Sequence, residues 1–211
     1  MEPIKTITGT AVPIDRSDID TDQIIPAVWL KRVERTGFGA GLFSSWRESD
    51  PDFVLNRPEY RSASVIVAGP NFGVGSSREH AVWALMDYGF KAVISSRFGD
   101  IFRNNATKSG LIPVVVDQGF AEEIMSAIEV NPATQVIVDI ESRTVSVPSL
   151  RLSASFPLDD FTRNRLMEGL DDIGLTLRND EAIGQYEACR ADWMPSVDHP
   201  EPSIAAPSSI R

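Results

Sequence analysis

Apolar and polar residues alternate over residues 4–12, IKTITGTAV, which predicts a half-buried strand near the start of the chain. An acidic stretch, DRSDIDTDQ, follows before Pro26 opens a short helical segment. Residues 33–59 carry no clean period, and an irregular stretch of that length inside a domain predicts a functional or mobile loop. From residue 62 the pattern sharpens. The apolar runs SASVIVA (62–68), KAVISS (91–96) and LIPVVV (111–116) are separated by helical patterns at 82–90 and 98–110, the second stopped by Gly110. Strand, helix, strand, helix, strand is the order of a parallel sheet with crossovers. A further amphipathic helix is predicted over 121–130. Two alternating runs around ESR within 134–147 read as a hairpin, and RLSASF (151–156) adds a strand. Residues 159–177 and 180–193 are helical in pattern, with Asp159 or Asp160 placed to cap the first. The predicted fold class is α/β, a sheet part parallel and part antiparallel with C-terminal helices.

Composition narrows what this fold can do. The chain has 211 residues, enough for one sizeable domain with a true core. Thirty acidic against twenty basic side chains give a formal net charge of −10, which argues against a nucleic-acid partner held by a basic face. No apolar run approaches the roughly 18 residues of a membrane span, and the first residues show neither a basic leader nor a signal-length apolar run, so a cytoplasmic protein is expected. Its one cysteine, Cys189, cannot form an internal disulfide or by itself ligate an iron–sulfur cluster or zinc, and its helical surroundings predict a packing role. The two histidines are His80 and His199. The second lies in PSVDHPEPSIAAPSSIR (195–211), whose proline, serine and small residues predict a disordered tail beyond a domain spanning residues 1–194.

Chemistry concentrates in GPNFGVGSSREHA, residues 69–81, between the second predicted strand and a helix. A glycine turn ahead of a helix offers unpaired N–H groups and a partial positive charge, hence an anion site. Phosphate fits poorly: no lysine follows the last glycine as in a P-loop, and Arg78 stands where a dinucleotide fingerprint needs glycine. Arg78 offers a planar fork for a carboxylate, while Ser76 and Ser77 can donate hydrogen bonds or, deprotonated, act as a base. From composition alone, a serine that merely caps the helix beside a solvated arginine is equally consistent, and His80 reads as a packing residue or a catalyst.

FGVGSSREHA (72–81), DIDTDQIIP (18–26) and FGDIFRNNATKSGLIPV (98–114) occur in the order found in a known family. Over residues 4–193 the chain resembles the swivel domain of the aconitase superfamily, in particular the small subunits of 3-isopropylmalate dehydratase. The resemblance implies a two-chain hydro-lyase of leucine biosynthesis that isomerises 2- and 3-isopropylmalate by dehydration and rehydration. It implies a large-subunit partner that carries a 4Fe-4S cluster, with no cofactor on this chain, and a small dicarboxylate as substrate. Related dehydratases act on citraconate-type or homoaconitate-type acids, and these stay as the alternative. By the same resemblance Ser76 is the base, Ser77 and Arg78 bind substrate carboxylate, and Asp22 aligns with an acidic position at the substrate, a turn-capping aspartate being its other reading. Asn71, His80, Asn104 and Asn105 are implied as supporting groups. Substrate choice is implied for the loop at 27–43, AVWLKRVERTGFGAGLF, where Leu30 and Val33 would suit an isopropyl group while Lys31, Arg32 and Arg35 would suit a further carboxylate, so the loop leaves the choice open.

Overall fold

In the computed structural model, which describes residues 1–31, 36–76, 78–191 and 193–194, a nine-residue strand, β1 (Thr6–Ile14), divides its pairing between two neighbours. Its second half, Ala11 to Ile14, runs parallel to β2 (Val65–Ala68), while its first half, Thr6 to Thr10, runs antiparallel to β5 (Gln135–Asp139). Burial follows this division: Ala11 to Ile14 are all buried, whereas Thr6 and Thr8 face solvent. On the parallel side β2 pairs with β3 (Ala92–Ser95) and β3 with β4 (Ile112–Val115). On the antiparallel side β5 pairs with β6 (Thr144–Val147), and β6 with β7 (Leu152–Ser155). The seven strands form one sheet in the order β4-β3-β2-β1-β5-β6-β7. The mixed architecture predicted from the sequence is the one observed.

Every residue of β2 and β3 is buried, as expected of central parallel strands covered on both faces. On one side α5 (Gln118–Val130) lies against β1, β2 and β3, while α4 (Asp100–Ser109) lies against β4 and α3 (Glu79–Tyr88) packs on α4. Gly89 and Gly110 end α3 and α4 in left-handed conformation, as helix stops commonly do. Two short helices precede β2, α1 (Thr21–Ile24) and α2 (Ser44–Ser49), and α6 (Asp160–Glu168) follows β7.

Three expectations change. The described part of residues 33–59 is packed and largely turned: 3-10 turns at Phe38–Gly41 and Val54–Asn56 flank α2, and Phe38, Leu42, Phe43, Phe53 and Leu55 are buried. These anchors follow no 2.0 or 3.6 spacing, so no periodicity announces them. The helical stretch at 159–177 is broken by Gly169, at φ 68°, into α6 and α7 (Asp172–Leu177). Cys189 closes α8 (Asp180–Ala188) exposed rather than packed. The chain divides into two compact units, Met1–Asp171 with the sheet, and a second beginning at Asp172 with α7 and α8. No helix among the described residues is long and apolar enough to cross a membrane. Val33, Ser77, His199 and the whole of 195–211 lie outside the described residues.

Candidate active site

The glycine turn leaves the C-terminal end of β2, the edge at which open parallel sheets generally place ligands. Its start is tied to the neighbouring strand, where the buried Ser95 hydroxyl donates to the Gly69 carbonyl at 2.7 Å. Its middle is stitched to the acidic segment before α1. The Gly73 and Val74 N–H groups both donate to the Ile19 carbonyl (2.7 and 3.2 Å), and the Thr21 N–H returns a bond to Val74 O at 3.0 Å. On the other side the Phe72 N–H donates to Arg97 O and the Gly99 N–H to Phe72 O, at 3.0 and 2.9 Å. The three sequence blocks, separated by up to about eighty residues, therefore meet around one turn. Only glycine satisfies the turn at residue 73: φ is +73°, and a Cβ there would stand 2.3 Å from Cγ of Phe102.

Beyond Val74 the chain rises free of the sheet. Ser76 is exposed, its carbonyl is held by the Thr21 hydroxyl at 2.7 Å, and its own hydroxyl has no hydrogen-bond partner among the described residues. The N–H groups of Gly75 and Ser76 likewise meet no acceptor among the described residues. Helix α3 begins at Glu79 with Arg78 as N-cap and no side-chain cap, so Ser76 stands outside the capping position. A hydroxyl beside unpaired donors at an uncapped helix start is placed for chemistry with an anion.

Arg78 and Asp22 form an ion pair through Nη1 and Oδ1. Only 19% of the Arg78 side chain is accessible, against 52% for Asp22, so the guanidinium is the better-held partner. The family resemblance implies that both residues face the substrate; the geometry pairs them with each other. Asp20 caps α1 reciprocally with Gln23, its carboxylate taking the Gln23 N–H at 2.8 Å while the Gln23 side chain takes the Asp20 N–H at 2.9 Å.

The supporting candidates fare differently. Asn71, at φ 63°, donates to Asp18 Oδ1 at 2.7 Å and braces the base of the turn. His80 is half-buried between aromatic rings, 5.3 Å from Phe38 and 4.7 Å from Trp83 between centroids. Asn104 and Asn105 lie on α4, exposed and half-buried, and neither side chain bonds to the turn. Leu30 is half-buried in a 3-10 turn, Ala27–Lys31. Thr21, Asp18 and Phe102 contact the turn but are not singled out from sequence; the run DIDTD is the available signal for the first two. A cleft of about 680 Å³ lined by Ile4, Lys5, Met86, Phe90 and Lys91 lies at the N-terminal ends of β3 and β1, away from this turn. The catalytic candidates stand on an open surface.

Comparison with known proteins bears on what that surface serves. The aconitase C-terminal domain family model matches residues 1–119, and the model for the C-terminal domain of the 3-isopropylmalate dehydratase small subunit matches residues 172–199. The 3-isopropylmalate dehydratase small subunit of Acidothermus cellulolyticus is 60% identical over 197 residues, spanning 93% of this chain and 98% of its own. That of Thermobifida fusca is 57% identical over 195 residues, 92% of this chain and 98% of its own. The crystal structure of 3-isopropylmalate dehydratase from Methanocaldococcus jannaschii matches with a TM-score of 0.62 at 27% identity, covering 86% of this chain and 99% of that one.

Proposed function

The chain belongs to the family of 3-isopropylmalate dehydratase small subunits, and from that premise we propose that Ser76 is the base of the reaction. The activity is that of a hydro-lyase working with a large subunit, in leucine biosynthesis. In 2-isopropylmalate the carbon next to the hydroxyl-bearing carbon carries the proton to be lost. Ser76 Oγ takes that proton as hydroxide leaves, giving isopropylmaleate. Water then adds with its hydroxyl on the neighbouring carbon, and Ser76 returns a proton to the carbon that first bore the hydroxyl. A serine hydroxyl is a weak base in water. The N–H groups of Gly75 and Ser76, which meet no acceptor among the described residues, the start of α3 without a side-chain cap and the neighbouring Arg78 favour its alkoxide.

Arg78 keeps N–H donors for a substrate carboxylate while Asp22 fixes its orientation, and we assign Ser77 to the same carboxylate. We assign the 4Fe-4S cluster to the large subunit, because this chain's donor set does not fit one: Cys189 is its single cysteine. The open site is then completed by a cytoplasmic heterodimeric partner closing over it. The observation that carries this reading is an exposed serine hydroxyl beside two N–H groups that meet no acceptor among the described residues, and an arginine held by Asp22. Ser76→Ala, reconstituted with the large subunit, should lower turnover by about 10²–10⁴-fold and abolish solvent-deuterium exchange into the substrate. Retained exchange would move the base elsewhere.

A further inference from the structure

The turn Phe38–Gly41 is fastened to α3 by independent contacts. The Phe38 ring is fully buried against His80 and Trp83, with centroids at 5.3 and 5.8 Å. The Phe38 N–H donates to the Asp87 carboxylate at 2.8 Å. Gly39 lies so close to the last turn of the helix that a Cβ would stand 2.9 Å from the Asp87 carbonyl carbon and the Tyr88 nitrogen. The same excursion of chain is closed on its other side: Trp29 lies over Gly41, where a Cβ would stand 2.5 Å from Cδ2, and the Phe43 N–H donates to Ile24 O at 2.8 Å. The two elements that receive these contacts also hold the site, since Arg78 stands at the N-cap position of α3 and Asp22 lies in α1 with Ile24. The chain carrying Leu30 is thus referenced at both ends to the groups that hold the arginine.

We propose that Asp87 is a positioning residue for substrate recognition, acting through Phe38 and Gly39 to hold the Ala27–Lys31 turn, and with it Leu30, in fixed relation to the reactive turn. The inference rests on Ser76 and Arg78 being that reactive turn. It rests also on Leu30 receiving the apolar branch of the substrate, as the family resemblance implies. The branch makes and breaks no bond, so its binding is shared by ground and transition states, and loosening the wall that receives it raises KM without lowering kcat. A loosened wall must also be ordered each time the substrate binds.

Three variants test this, each reconstituted with the large subunit and assayed with 3-isopropylmalate. Asp87→Ala and Gly39→Ala should raise KM by about tenfold with kcat changed less than about two-fold, because a charge-assisted bond or a close seat is lost far from the reacting atoms. Asp87→Asn keeps an oxygen for the Phe38 N–H and should restore most of the loss. Gly39→Ala approaches the seat from the loop side, so the test stands even where Asp87→Ala does not fold. An unchanged KM in variants that assemble normally, or a fall in kcat alone, overturns the proposal. Turnover and solvent-deuterium exchange retained in Ser76→Ala would instead defeat the assignment of the reactive turn, and this inference with it.

Discussion

At the scale of single residues, the site depends on positions where one atom more or fewer decides the outcome. Gly73→Ala would force a Cβ into Phe102 at a positive φ, and we expect a loss of about 2–3 kcal/mol, read as a lowered urea midpoint. Arg78→Lys keeps a charge that can still reach Asp22 but loses the fork, so KM should rise and turnover fall together. A change in neither would free Arg78 from any contact with substrate. The glycines and the serine-arginine run were legible in the sequence because they are adjacent in the chain. The pairing of Arg78 with Asp22 was not, because it joins residues 56 apart and only folding sets them side by side. Nor could composition say whether Ser76 caps the helix; that needed α3 to begin at Glu79 with Arg78 at the N-cap position.

At the scale of elements, Asp159 shows a cap that the sequence announced. It takes the Thr162 N–H at 2.9 Å at the start of α6, and that backbone bond is the chief cause that holds its carboxyl below the ordinary aspartate value. Asp159→Ala should cost about 1 kcal/mol at neutral pH in urea unfolding. Because the folded carboxyl is the more acidic, its contribution is fully present above the ordinary value of about 3.9 and fades as pH falls through the lowered folded value. The gap between wild type and variant should therefore be flat above about pH 5 and close in stronger acid. A gap that widened on acidification would refute the assignment. The hairpin β5–β6 was equally legible, since its alternation survives folding unchanged. The segment between α1 and β2 was not. Its order comes from isolated aromatic anchors, with Trp46 stacked on Phe43 at 5.2 Å and Arg16 lying 4.2 Å over Trp46, and such contacts are tertiary.

At the scale of the whole molecule, an exposed Ser76 acting as the proposed base makes the chain half of an active site. Purified alone it should fold cooperatively yet show no turnover of isopropylmalate, and addition of the large subunit should restore activity; appreciable turnover by the isolated chain would remove the two-subunit reading. The divided strand β1 has a consequence of another kind, for biosynthesis. Its first half pairs with β5, Thr6 opposite Asp139, so the opening strand leaves the ribosome more than a hundred residues before that neighbour exists. At ordinary rates of synthesis the wait is roughly ten seconds. Throughout it the segment from Thr6 to Thr10 has one large apolar side chain, Ile7, to show to other nascent chains, and so presents little on which an unwanted partner could take hold.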